Sequence, residues 1–209
     1  MIPAKEEFRE AFCRLHGEET AKKLAEARVA VCGLGGLGSN IAISLARAGV
    51  GKLNLIDFDK VSISNLNRQQ YAVKHIGMYK TEALREILGE IAPLTETEIH
   101  TVKITDENAG ELLRNDKIIV EAFDNADCKA MLVNIVMERF PDKYIVAASG
   151  MAGLGSANDV LTRKVTERFY ICGDGKSDVE KEKTLFSSRA MLCAAHQANA
   201  VLRIISGKI

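Results

Sequence analysis

Residues 28–49 read RVAVCGLGGLGSNIAISLARAG, and this stretch decides the fold. Its first part, "RVAVCGL" (28–34), is a short apolar run that predicts a buried strand. A glycine turn, "GLGGLGSN" (33–40), follows, and "LGSNIAISLARAG" (37–49) predicts a helix ended by Gly49. Strand, glycine turn and helix in this order form the opening unit of a dinucleotide-binding fold. In such a unit Gly33 permits the tight turn, Gly35 and Gly36 let the backbone approach phosphates, and Gly38 lets helix and strand pack closely. The N–H groups at the helix start then face an anion.

Outward from the turn, the chain alternates. "KLNLIDF" (52–58) is a second strand, and "GMYKTEALREILGEI" (77–91) is a helix stopped by Pro93. Strands over 96–104, 116–124 and 143–150 alternate with helices over 106–115 and 125–140. This β-α-β-α order predicts an α/β, Rossmann-like, mostly parallel sheet with helices on both faces. Residues 5–26 predict an N-terminal helical segment, with Phe8, Phe12, Leu15 and Leu24 among charges. Beyond 150 the pattern is less regular. "NDVLTRK" and "ERFYICG" are candidate short strands, "GDGKSDVEKEKT" (173–184) a mobile loop, and 187–206 a closing helix. The expected organisation is a single domain over 1–209, divided into 1–27, a core at 28–150 and a tail at 151–209.

Composition narrows the function. Lys plus Arg is 28 and Asp plus Glu is 28, so the formal net charge is zero and bulk nucleic-acid binding is not expected. No apolar run reaches membrane-spanning length, and the charged N-terminus lacks a secretory apolar region, so a cytoplasmic protein with no membrane partner is expected. The five cysteines, at 13, 32, 128, 172 and 193, include no C-x-x-C pair, so no zinc site is expected.

The stretch "DFDKVSISNLNRQQY" (57–71) sharpens the reading. Asp57 follows Gly38 by 19 residues, at the end of the second strand, where a carboxylate accepts hydrogen bonds from a ribose. Such an acid would repel a 2′-phosphate, which disfavours NADP. Asp59 shares the face of Asp57 in an extended segment, either as a second ligand or as a solvated loop acid. Asn65, Arg68, Gln69 and Lys80 come next. A nicotinamide site has no need of them, whereas Arg offers planar paired donors and Lys a point charge to phosphate oxygens. Asp124 ends a later strand on the same edge, and a carboxylate beside phosphates needs a cation between them, so Mg²⁺ is expected there. The plainer alternatives are that Arg68 and Lys80 are surface charges and Asp124 a helix N-cap.

"GLGGLGSN", "LIDFDKVSISNLNRQQY", "GMYK" and "EAFDN" together resemble the ThiF/MoeB family of ubiquitin-activating-like adenylyltransferases, strongly over 28–150. The tail, with "VAASGMAG", "ICGDG" and "CAAHQAN", is similar to that of short ThiF-type members. The resemblance implies ATP and Mg²⁺ as cofactors and a homodimer. It also implies a ubiquitin-like sulfur carrier of the ThiS type as partner, within thiamine biosynthesis. Gly36 is then at the nucleotide loop, Asp57 on the ribose, Asn65, Arg68 and Lys80 on the phosphates with Gln69 in support, and Asp124 on the metal. An N-terminal Arg reaching the neighbouring subunit's triphosphate falls on Arg9, with Arg14 as the alternative. Members of the family often carry paired C-x-x-C zinc ligands, which this chain lacks, and Cys172 and Cys193 have no adjacent base that marks a reactive thiol. His196 is read as a helix-packing or capping residue.

The implied reaction is attack of a carrier's C-terminal glycine carboxylate on the α-phosphorus of ATP. Four rivals stand beside it: the same reaction on a MoaD-type carrier, an NAD-dependent oxidoreductase, a non-enzymatic nucleotide-binding or scaffold module, and a tRNA-modifying dehydratase-like member. The last is disfavoured by the neutral charge, because such members carry basic extensions for RNA.

Overall fold

Parallel pairing around one short strand organises the molecule. In the computed structural model, which describes residues 4–208, β1 (Arg28–Cys32) lies between β2 (Lys52–Ile56) and β4 (Ile118–Glu121). Val29 is opposite Leu53 on one side and Ile118 on the other, and Val31 is opposite Leu55 and Val120. β3 (Glu96–His100) extends the sheet beyond β2, and β5 (Tyr144–Ala148) and β7 (Phe169–Gly173) extend it beyond β4, all in parallel. β6 (Leu161–Lys164) closes the far edge antiparallel to β7, giving the order β3-β2-β1-β4-β5-β7-β6. Strand order reverses between β1 and β4, the place where open parallel sheets hold their ligands.

Apolar residues on alternate sides of each strand split the core in two. Val29, Val31, Leu53, Leu55, Val120 and Val146 face one layer, where α3 (Gly38–Arg47), α4 (Lys80–Ile91) and α8 (Ser187–Ile205) bury Leu45, Leu84 and Val201. Ala30, Cys32, Ile56, Ile119 and Ile145 face the other, against α5 (Ala109–Leu112) and α6 (Ala126–Arg139) with Leu132 and Ile135. A strand buried on both faces reads as a continuous apolar run, which is why these strands were legible from composition.

Several boundaries differ from the sequence expectation, each for a local reason. The N-terminal helix is two helices, α1 (Lys5–His16) and α2 (Glu18–Glu26), broken at Gly17, whose φ of +80° takes it out of the helical region. The helix expected from 77 begins only at Lys80, because residues 77–79 run beside Lys60 and Val61: Val61 N–H donates to Met78 and Gly77 N–H to Val61. The strands expected at 52–58 and 116–124 stop at Ile56 and Glu121, which leaves Asp57 and Asp124 on loops past the strand ends. The stretch 173–184, expected as a mobile loop, contains the one-turn helix α7 (Val179–Glu182) and a set of hydrogen bonds centred on Asp174. Residues 1–3 and 209 of the expected terminal segments lie outside the described residues.

Candidate active site

The C-terminal ends of β1, β2, β4 and β5 open onto a cavity of ≈ 590 Å³, within the range of a small-molecule site. The glycine turn forms its floor. Gly33, at φ +91°, bends the chain out of β1, and a Cβ on Gly38 would lie 1.8 Å from the Gly33 carbonyl oxygen, so helix and strand meet there without room for a side chain. Gly35 differs. A Cβ there would touch only the Gln69 side chain, at 3.7 Å, so nothing inside the protein demands glycine at this wall of the cavity.

Asp57 is buried at this edge and fastens the turn. Its Oδ2 accepts from Leu34 N–H at 2.6 Å and its Oδ1 from Asp59 N–H at 2.7 Å. Burial pushes its carboxyl above the ordinary value, opposed by the Lys80 ammonium and by those two N–H groups. Each oxygen keeps a lone pair for a further donor. Lys80, the first residue of α4, is also buried and sends its Nζ to Asp59 Oδ2 at 2.7 Å and toward Asp57 Oδ2 at 3.9 Å. Lys80 is thus not the free surface charge of the plainer reading, and Asp59 is its ion-pair partner while remaining a half-exposed loop acid.

The Asn-Arg-Gln string enters the cavity on a 3₁₀ turn, Ile63–Asn65, whose capping bond runs from Ser62 N–H to Asn65 Oδ1 at 3.0 Å. Arg68 is held by the Ser64 carbonyl at 3.1 Å and Asn67 Oδ1 at 2.9 Å, both through one guanidinium nitrogen, which leaves its other donors to the cavity. Gln69 is buried, and its side-chain oxygen has no partner. An unpaired polar atom in a cavity wall marks a place for a ligand or water to bond.

Asp124 faces the same cavity and, among the described residues, makes no hydrogen bond or ion pair through its carboxylate. It is not the N-cap of α6. That role belongs to Asn125, whose Oδ1 accepts from Cys128 N–H at 2.9 Å. Among the described residues no cluster of three or more His, Cys, Asp or Glu is placed to hold a metal. A hard divalent cation fits Asp124 only with oxygens brought by a phosphate ligand, which is the ordinary habit of Mg²⁺. Phe58, Val102, Ile104 and Phe123 make one wall apolar.

Sequence reasoning missed that wall, and it missed Glu121 and Lys129. Glu121 ends β4 fully buried, and Lys129 Nζ reaches both its oxygens, at 2.9 and 3.0 Å, from the cavity side of α6. The signal was present as an acid inside the apolar run "KIIVEAF".

The other end of the cavity is made by Gly150, Met151, Ala152, Ser177, Val179 and Leu185. Asp174 anchors it. Its Oδ1 accepts from the N–H groups of Lys176 and Ser177, and its Oδ2 accepts from the Ser177 hydroxyl and from Arg189 at 2.5 Å. Burial alone would raise the Asp174 carboxyl, but those N–H groups, the hydroxyl and Arg189 outweigh it and hold it below the ordinary range. Arg189 also donates to the carbonyls of Gly155 and Ser156. Cys172 and Cys193 are fully buried, and burial pushes their thiols up to about 11 and about 12. His196 bonds Thr162 Oγ1 at 3.0 Å, away from the cavity.

Arg9 and Arg14 are exposed on α1 and do not line this cavity. Phe12 of the same helix packs on Gly49, at the end of α3 just before β2 begins, so α1 sits at the opposite edge of the sheet. The structure does not bring these arginines to the other predicted residues within one chain.

The chain is 35% identical over 131 residues to a sulfur carrier protein adenylyltransferase of Thermus thermophilus, a match covering 62% of this chain and 43% of the relative. It is 37% identical over 122 residues to a tRNA threonylcarbamoyladenosine dehydratase of Haemophilus influenzae, covering 57% of this chain and 47% of the relative. The matched stretch therefore spans under half the length of these curated relatives. Among solved structures, E. coli tRNA N6-threonylcarbamoyladenosine dehydratase in complex with AMP superimposes with a TM-score of 0.87 at 21% identity, covering 100% of this chain and 99% of that one, which shows a shared fold. Residues 9–209 match the ThiF family, and the chain belongs to it.

Proposed function

We propose that the protein is an ATP-dependent adenylyltransferase acting on the C-terminal glycine carboxylate of a ubiquitin-like sulfur carrier. One observation carries the reading: Asp57, Asn65, Arg68, Gln69, Lys80 and Asp124, distant in sequence, line one cavity floored by Gly33, Gly35 and Gly36. The relatives named as adenylyltransferases support it.

In this reading the adenine lies against Phe58, Val102 and Ile104, the ribose hydroxyls bond Asp57, and the phosphates lie along the glycine turn. The carrier tail enters past Gly150 and Ala152. A glycine carboxylate is ionised at neutral pH, so no general base is needed. Its oxygen attacks the α-phosphorus, the bond to the β-phosphate oxygen breaks, and pyrophosphate leaves. The chain's work is positioning and charge neutralisation. Arg68 and Lys80 offset the charge growing on the leaving group, with Asn65 and Gln69 as neutral donors beside them. Mg²⁺ held by Asp124 would neutralise phosphate charge when bound. Arg9, exposed at the opposite edge of the sheet, reaches a triphosphate only in a homodimer, and that assignment is part of the proposal. So are a ThiS-type carrier in thiamine biosynthesis, a single-domain organisation and a cytoplasmic setting. No helix of the described residues is long and apolar enough to cross a membrane, which is compatible with that setting.

A second reading is favoured by the curated relatives named tRNA threonylcarbamoyladenosine dehydratase: a dehydration on a modified tRNA, served by the same nucleotide site. The two separate in one experiment. The protein is incubated with ATP and magnesium together with a ThiS-type carrier, a MoaD-type carrier or tRNA, and AMP-bearing product and pyrophosphate are followed. Carrier adenylate with ThiS supports the first reading in full, and with MoaD it corrects the carrier. Nucleotide turnover only with tRNA replaces it.

A further inference from the structure

Glu121 and Lys129 form a pair whose place in the fold has a consequence for Asp124. Glu121 is fully buried, where an unpaired carboxylate is strongly disfavoured. Its oxygens accept from Phe123 N–H at 2.7 Å, from Ala148 N–H at 3.4 Å and twice from Lys129 Nζ. From α8, Gln197 Nε2 donates to the Glu121 main-chain oxygen at 2.9 Å and to the Val146 oxygen at 3.2 Å. One residue therefore joins β4 to β5, α6, α8 and the loop that follows it. That loop carries Asp124. It is tied on one side at Phe123 by the Glu121 carboxylate and on the other at Asn125 by the α6 cap, while the Asp124 carboxylate has no partner of its own among the described residues. Where Asp124 points is set by those two ties.

A well-packed apolar pair would serve stability as well as a buried ion pair does. It could not hold the Phe123 N–H. We propose that Glu121 and Lys129 are positioning residues that fix the Asp124 loop and so set the affinity of the site for its divalent cation with nucleotide. This rests on the reading of the cavity as a magnesium–nucleotide site. Groups that orient a metal ligand from behind commonly change metal affinity by about 10–100-fold when removed.

The test is nucleotide binding without a carrier, read by calorimetry as magnesium is raised at fixed ATP. Lys129→Met should raise the magnesium concentration for half-maximal binding by about 10–100-fold, and Lys129→Arg should restore most of it. ATP affinity in chelator should not change. Because Lys129→Met leaves Glu121 buried and unpaired, Glu121→Leu with Lys129→Met supplies a neutral pair that folds. It should stay folded, melting below the wild type only by the loss of the Phe123 and Ala148 N–H acceptors, and still show the shift. Wild-type magnesium dependence in that folded double variant overturns the proposal. So does an equal loss of ATP affinity with and without magnesium, which would make Lys129 a direct nucleotide contact. Failure of the wild-type protein to bind ATP in a magnesium-dependent way overturns the underlying reading, and this inference with it.

Discussion

Lys80 Nζ lies 2.7 Å from Asp59 and 3.9 Å from Asp57, so one buried ammonium serves both acids of the D-F-D string. It is the charge that most strongly opposes the upward push of burial on the Asp57 carboxyl, and it stands at the wall where a phosphate would arrive.

Lys80→Met should therefore act twice. Adenylation should fall on the order of 10²-fold, the usual cost of one oriented charge. The melting temperature should fall as well, because Asp57 loses its counter-charge. Adding Asp57→Asn should restore only part of the melting temperature, because one amide oxygen replaces two acceptors for the Leu34 and Asp59 N–H groups, and should leave activity low. If stability and activity recover together, Lys80 supports the fold and has no part in the reaction.

The glycines of the turn separate by the same logic. Gly38→Ala places a Cβ 1.8 Å from the Gly33 carbonyl oxygen, and soluble folded protein should drop sharply. Gly35→Ala meets only Gln69 at 3.7 Å, so the variant should melt like the wild type and lose nucleotide affinity. Unchanged ATP binding in Gly35→Ala would mean that phosphates do not run along this part of the turn.

The glycine turn, the strand alternation and the cavity residues Asp57, Asp59, Asn65, Arg68, Gln69 and Lys80 were legible in the sequence, because each belongs to a continuous local pattern, whereas Phe58, Lys60 and Ser62 of the same stretch were not read as cavity residues. Cavity-facing Asp124 was legible for its place past a strand. What was not legible came from long-range geometry. The Lys80–Asp59 pair depends on residues 77–79 running beside Lys60 and Val61, and Lys129 matters only because α6 turns it back onto Glu121. The break at Gly17 was missed because helical periodicity continues on both sides of it. The order in 173–184 was missed because Asp174 draws its partners from Arg189 and from its own next turn.

The Asp174–Arg189 pair gives a stability prediction with a sign. The Asp174 carboxyl is held below its ordinary value, so the stability it contributes is present above its unfolded value of about 3.9 and is lost as pH falls through the lower folded value. Asp174→Asn should reduce stability at pH 7 and make little difference in strong acid. Arg189→Met leaves the acid buried without its partner and should cost about 3–5 kcal/mol in urea unfolding. An effect within a few tenths would show that the N–H groups of Lys176 and Ser177 suffice alone.

The cysteines divide by accessibility. Cys32, Cys172 and Cys193 are fully buried, and the thiols of the last two stay protonated until about pH 11 and about pH 12. Alkylation at pH 8 followed by peptide mapping should modify Cys128 and Cys13 and spare the other three until the protein is unfolded. ATP should protect Cys128, which lines the cavity, and leave Cys13 unaffected. Rapid labelling of Cys172 in the folded protein would reopen it as a reactive thiol.

The most direct test of the account is ATP–pyrophosphate exchange with magnesium, measured with and without a ThiS-type carrier ending in Gly-Gly, and with Asp124→Ala in parallel. The account predicts exchange that requires the carrier, disappears when its last glycine is removed, and disappears in a folded Asp124→Ala protein. Carrier-independent exchange, or undiminished exchange in Asp124→Ala, would contradict it.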